Sequence, residues 1–219
     1  MQRCLQLALK GLGNVSPNPM VGCVIVHENK IIGEGYHQKY GEAHAEVNAI
    51  KAVEDKSLLK SSTLYVSLEP CNHFGKTPPC SDFILKYEIP KVIIGIQDPF
   101  EKVNGSGIKK LVDARIKVTT GILEKECREI NKRFFTFHQQ MRPYIILKWA
   151  QSKDGFMGKK NKSVRISNEL TRVLNDIWRT QEDAIIIGGE TARTDNPHLT
   201  VRRSEEHTSE LQSPCNLVC

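Results

Sequence analysis

The feature that most constrains this chain is a histidine and two cysteines, far apart in sequence, each beside the boundary of a predictable element. His44 precedes a run whose apolar positions Ala45, Val47, Ala49, Ile50 and Val53 suit one buried helix face, ending near Val53. Cys71 follows Pro70 just after an apolar strand, Thr63 to Leu68. Cys80 closes a Gly/Pro-rich loop, and Ser81 is placed to cap the next helix, through about Tyr87. A fold that joins the three must bring a helix start to a strand end. Helix starts favour thiolate over thiol and orient nearby anions.

The donor types point to zinc. Zinc favours thiolate and imidazole in a tetrahedron, and a catalytic site offers three protein ligands and leaves the fourth position to water. His44, Cys71 and Cys80 supply three. The dication lets that water lose a proton near neutral pH. Glu46, two residues past His44, is placed beside the metal without binding it and suits the role of proton shuttle. His-x-Glu followed by Pro-Cys-x-x-Cys is the zinc nucleobase-deaminase pattern. Here eight residues separate the cysteines. Two other readings stand beside this one. The site could be closed and structural, with His73 as fourth ligand in a binding module without catalysis. The chain could also be another deaminase, of nucleosides, cytosine or tRNA adenosine. A redox pair does not fit, because the spacing is not Cys-x-x-Cys.

The rest of the chain supplies the scaffold. Residues 1–12 read as an amphipathic helix stopped near Gly13, and Ser16-Pro17-Asn18-Pro19 as a turn. Val21 to His27 and Lys30 to His37 read as a hairpin turned at Glu28-Asn29. Strands follow at Lys91 to Ile96 and Ile116 to Thr120, with helices at Gly107 to Ala114 and Leu123 to His138. Strands alternating with helices make a layered α/β domain ending near residue 140. Beyond the linker at 139–143, Tyr144 to Ala150 reads as a strand, Ser167 to Thr180 as a helix and Ala184 to Ile187 as a strand, one βαβ-like unit. With 219 residues the chain has room for one full core and part of a second.

Composition excludes several classes. Seven scattered cysteines without an export signal argue against a disulfide framework, and Cys4, Cys23 and Cys127 read as core thiols. No apolar run approaches a membrane span, so the chain reads as cytoplasmic, with no membrane partner. Its net charge of +6 is spread out and its aromatic content is only 6%, which disfavours a nucleic-acid platform; the charge suits attraction to a small phosphorylated substrate and mere solubility equally well.

Three motifs in order make a resemblance specific. Pro70-Cys71-Asn72-His73-Phe74-Gly75-Lys76-Thr77-Pro78-Pro79-Cys80, Ser16-Pro17-Asn18-Pro19-Met20-Val21-Gly22, and His37 ahead of His44-Ala45-Glu46 resemble the bifunctional riboflavin-biosynthesis deaminase/reductase family. The resemblance implies a three-layer α/β/α, cytidine-deaminase-like domain with a mixed sheet over 1–141. It implies an incomplete dihydrofolate-reductase-like α/β segment over 142–202. The implied reaction is deamination of 2,5-diamino-6-ribosylamino-4(3H)-pyrimidinone 5′-phosphate. By position, Asn18 and His37 would line the pyrimidine pocket, and His73, Lys76 and Thr77 would approach the ribose phosphate. In the second segment the resemblance assigns Ala150, Arg165, Thr191 and Asp195 to NADPH. It assigns Ser163, Arg179, Leu199 and Arg202 to that domain's substrate. The family also implies a homo-oligomer.

Residues 203–219 read as a tail foreign to the domain, like a translated sequencing adapter, so His207, Cys215 and Cys219 are not read as ligands. A βαβ unit alone cannot cover both faces of its sheet, so reductase turnover is expected to be absent from the chain as written.

Overall fold

The computed structural model describes residues 1–75, 78–101, 103–159 and 164–200, and the backbone of 216–218. It divides into two units, Met1–Tyr144 and Ile145–Cys219.

In the first unit, β1 (Gly22–His27) and β2 (Lys30–Tyr36) form the expected antiparallel hairpin. The turn residues Glu28 and Asn29 have φ of 47° and 60°. A left-handed turn of this kind matches the twist of the flanking strands. β1 also pairs antiparallel with β3 (Thr63–Leu68), which pairs parallel with β4 (Lys91–Ile96), and β4 with β5 (Lys117–Thr119). The result is a mixed five-stranded sheet in the order β2-β1-β3-β4-β5.

Helices cover both faces. α2 (Ala45–Ala52), α3 (Cys80–Lys86) and α4 (Ser106–Asp113) enclose the main core, in which Ile50, Ile84 and Leu111 meet Ile25, Leu64 and Ile94. On the other face α1 (Gln2–Ala8) buries Cys4 and Leu7 against Val24. There α5 (Glu124–Ile130) and α6 (Lys132–Gln140) bury Cys127 and Phe135 against Leu68 and Ile96. Period-two alternation explains the split: Val24 faces α1 while its neighbours Cys23 and Ile25 face α2. α2 lies directly on β2 because Gly35 has no side chain. A Cβ there would fall 2.3 Å from the Ala49 nitrogen and 2.5 Å from the Ala45 oxygen. That close approach fixes the start of α2, where His44 and Glu46 stand.

Two local expectations are corrected in this unit. The helix expected over 123–138 is broken into α5 and α6 at Asn131. The Asn131 side chain accepts from the Met20 nitrogen and donates to the Met20 oxygen, both at 2.8 Å, so it serves the backbone of a distant loop. Ser81 does not cap α3. The helix starts one residue earlier, and the Ser81 hydroxyl donates to Asn72 Oδ1 at 3.0 Å.

The second unit holds α7 (Glu169–Gln181), β6 (Ala184–Ile186), α8 (Gly189–Asp195) and β7 (Asn216–Val218), with β6 and β7 parallel. Asn168 caps α7, its side chain accepting from the Thr171 nitrogen at 2.9 Å. The strand expected over 144–150 does not form. The segment is largely exposed, and among the described residues no strand pairs with it. The tail, expected to add no element, contributes β7. Among the described residues of this unit only Asp176 is buried. No helix among the described residues is long and apolar enough to cross a membrane.

Candidate metal centre

His44 is the N-cap of α2, with extended backbone (φ −74°, ψ 166°), and its side chain makes no capping bond. The imidazole is therefore left to face the sheet end. Glu46 follows in the first helical turn and is 3% exposed. Cys71 lies three residues past the end of β3, and Cys80 is the first residue of α3. The Cys80 amide donates to Cys71 Sγ at 3.3 Å, and the Ser81 amide donates to the Cys71 carbonyl at 3.1 Å. The two cysteines are thus held together by the turn that starts α3.

The ligand atoms of His44, Cys71 and Cys80 all lie within 4.8 Å of one another. His44 Nδ1 is 3.5 Å from Cys71 Sγ and 3.2 Å from Cys80 Sγ. Two sulfurs and one imidazole nitrogen converging on one point are the donor set and the spacing that a tetrahedral zinc ion takes. Hydrogen bonding from the Cys80 thiol and from His44 holds Cys71 well below the usual thiol range. The same bond to Cys71, together with burial, holds Cys80 above that range. His44 is raised by its bond to Cys71. The cluster thus already carries thiolate character, the form zinc binds. Burial pushes the Glu46 carboxyl up to about 7, against the opposing pull of His44.

His73 is not part of this cluster. Its ring meets Phe100 edge-on at 5.9 Å, and its Nδ1 is buried without a hydrogen-bond partner among the described residues. Among the described residues the ligating group is the three residues alone, which is the open form and not the closed one. Asn18 and His37 are brought together beside it. His37 Nδ1 faces the Ala43 carbonyl at 3.2 Å, and a carbonyl only accepts, so Nδ1 carries the hydrogen. An amide NH2 only donates, so in this arrangement Nε2 accepts from Asn18 Nδ2 at 3.1 Å, and burial pulls the His37 pKa in the same direction, down. The His37 ring stands 5.4 Å from that of His44, nearly perpendicular. Lys76 and Thr77 lie outside the described residues.

Two acids near the site were not singled out from sequence. Glu69 is 4% exposed and accepts from the main-chain N–H groups of Asp98, Gly105, Gly107 and Ile108. Asp98 is buried, accepts from the Phe100 amide at 2.8 Å, and is pushed up to about 7 by that burial. Their partners are backbone groups, which leave no mark in sequence; the only signal was a carboxylate directly before Pro-Cys.

In the second unit, Ala150 lies in the segment without regular structure, Arg165 bonds Glu169 at 3.2 Å, and Thr191 and Asp195 lie exposed in α8. Arg179 on α7 donates to the Thr200 carbonyl at 3.1 Å and pairs with Asp176 at 3.4 Å. It lines a cavity of about 370 Å³ with Ser167, Arg172, Asn175, Asp176, Pro197 and His198. Leu199 is half-buried. Ser163 and Arg202 lie outside the described residues.

The family described as the cytidine and deoxycytidylate deaminase zinc-binding region matches residues 1–96, and the RibD C-terminal domain matches residues 143–219. The riboflavin biosynthesis protein RibD of Aquifex aeolicus (strain VF5) is 46% identical over 203 residues, covering 92% of this chain and 56% of its own length. That of Escherichia coli (strain K12) is 41% identical over 99% of this chain and 59% of its own length. The Acinetobacter baumannii RibD structure (form 1) superposes with a TM-score of 0.88 at 37% identity, over 94% of this chain and 57% of that one. The Thermotoga maritima diaminohydroxyphosphoribosylaminopyrimidine deaminase/5-amino-6-(5-phosphoribosylamino)uracil reductase does so at 0.85 and 39%, over 94% and 59%. The chain spans a little over half the length of these relatives. The chain belongs to the RibD family of riboflavin-biosynthesis proteins.

Proposed function

We propose that the first unit deaminates 2,5-diamino-6-ribosylamino-4(3H)-pyrimidinone 5′-phosphate to 5-amino-6-(5-phosphoribosylamino)uracil and ammonia. The observation that carries this reading is the three-donor cluster with a buried, non-ligating carboxyl two residues from its histidine. His44, Cys71 and Cys80 would hold zinc, which when bound supplies a nucleophilic water at neutral pH. Glu46 takes the two protons of the water in turn, passing the first to the ring nitrogen and the second to the leaving amine. A carboxyl raised by burial exchanges protons near neutral pH, as a shuttle must. One C–N bond breaks, one C–O bond forms, and one water is consumed for each ammonia released.

Asn18 and His37 orient the ring. Because Asn18 Nδ2 donates to His37 Nε2, its Oδ1 remains to accept from a donor on the pyrimidine. We assign the loop with His73, Lys76 and Thr77 to the phosphate. Ammonia release from the ribotide, abolished by a chelator and restored by zinc, tests the reading. Folded, zinc-loaded protein that releases none would overturn it.

For the second unit we propose that Ala150, Arg165, Thr191 and Asp195 belong to an NADPH surface. Ser163, Arg179, Leu199 and Arg202 belong to a phosphosugar surface. The guanidinium groups of Arg172 and Arg179 in one cavity support an anionic ligand there. We further propose that this chain does not turn over NADPH, because the unit leaves its apolar faces exposed. NADPH oxidation with the deaminated product, followed by absorbance, tests this; steady turnover would sink it.

A further inference from the structure

We propose that Glu69 is the positioning residue of the metal loop, setting where Cys71 presents its sulfur. Glu69 follows the last residue of β3 and stands two residues before Cys71. Its carboxylate accepts at Oε1 from the amides of Gly107 and Ile108 (3.0 and 3.2 Å), in the first turn of α4. At Oε2 it accepts from Gly105 and Asp98 (2.9 and 3.2 Å). Four main-chain donors converge on one buried carboxylate, without a cation among these partners. Bonds from amides to an anion are the strong class, and a helix start adds its dipole.

The grip reaches the next residue as well. Gly107 sits so close to Pro70 that a Cβ there would fall 2.0 Å from the Pro70 carbonyl oxygen. The Glu69-Pro70 step is therefore pressed against α4 from two sides. Asn72 continues the attachment on the far side of Cys71, its Nδ2 donating to the Ser106 carbonyl at 3.4 Å and its Oδ1 accepting from Ser81. Cys71 is thus strung between anchors on α3 and α4. The amides of Cys80 and Ser81 tie Cys71 to α3, and Glu69 supplies the α4 anchor that fixes the approach of the same residue from the β3 side. Groups that orient a ligand without touching the metal typically set about 10–100-fold of its affinity.

The test is zinc affinity by chelator competition, with the spectrum of the cobalt-substituted full chain. It rests on the three-donor metal site but needs no substrate, so it stands apart from the deamination assay. Glu69→Gln keeps the volume but turns a donor toward two of the amides. It is expected to weaken zinc binding about 10–100-fold and to dim the thiolate-to-cobalt absorption. Leu59→Ala, in the core away from the loop, is expected to lower the melting temperature while leaving both readouts as in the wild type. Should Glu69→Gln fail to fold, Glu69→Asp keeps the charge but shortens its reach to the four amides, and weakened zinc binding there supports the proposal. Wild-type zinc affinity and an unchanged cobalt spectrum in the folded variant would overturn it, as would an equal loss of zinc affinity in Leu59→Ala.

Discussion

The two units of this chain treat their apolar residues in opposite ways. In the first, Ile25, Leu64, Ile94 and Leu111 are fully buried under α2, α3 and α4, and Val24, Leu68 and Ile96 are closed off on the other face of the same sheet. In the second, α7 carries Leu170, Val173, Leu174, Ile177 and Trp178, and all five stay exposed, Leu170 at 79%. The difference is not one of composition but of partners. A strand or helix gains from its apolar face only when another layer removes that face from water. In the first unit that closure holds the metal ligands in place. In the second, residues that the resemblance assigns to NADPH lie on exposed or irregular segments.

The largest effect expected is on chemistry, and it should fall on one unit alone. Glu46→Gln is expected to lower ammonia release by about 10²–10⁴-fold, the range of general acid–base contributions, with zinc content unchanged. Ile177→Ala, on the exposed face of α7, is expected to leave ammonia release unaffected. Equal losses in the two variants, read in one ammonia assay, would break the comparison.

Next in size is a stability contrast. Ile94→Ala empties a fully buried site in β4 and is expected to cost about 2–5 kcal/mol in urea unfolding. Ile177→Ala, 47% exposed, is expected to cost less than about 0.5 kcal/mol. Comparable costs would mean that α7 is covered in solution.

Sequence pattern made much of the first unit readable. The alternation in 63–68 and 91–96 matched β3 and β4 residue for residue, because both strands are local, apolar and bounded by turn residues. The metal cluster was readable because zinc chemistry demands particular side chains at particular element ends. Glu69 was not, since its four partners are backbone amides drawn from 98–108 and brought near only by the β3–β4 pairing. Asn131 escaped for the same reason. A polar residue in a helical pattern looks like a surface position until Met20 arrives from 111 residues away. The 144–150 segment failed in the opposite sense: its β-forming residues were read correctly as a type, but a strand needs a neighbour, and periodicity cannot supply one.

Asn131 gives the third prediction. Removing its side chain leaves the Met20 amide and carbonyl buried without partners, so Asn131→Ala is expected to destabilise by about 1–3 kcal/mol. Amide exchange should show the opening concentrated around residues 18–22 and the α5–α6 junction. A uniform loss of protection would mean the clamp is not local.

The smallest effect sharpens the comparison at the edge of the well-packed unit. Arg3 of α1 grips Glu34 of β2 with two bonds, Nε to Oε1 at 2.6 Å and Nη2 to Oε2 at 2.7 Å. The bond from Arg3 holds the Glu34 carboxyl below its ordinary value. A carboxyl depressed in the folded state contributes stability above its unfolded pKa, about 4.3, and loses it as pH falls through the folded value. The melting difference between wild type and Glu34→Gln should therefore be present at pH 7, shrink once pH drops below about 4, and shrink again in high salt, since the pair is exposed. A difference that survives both acid and salt would show that Glu34 works through packing of α1 on β2 and not through its charge.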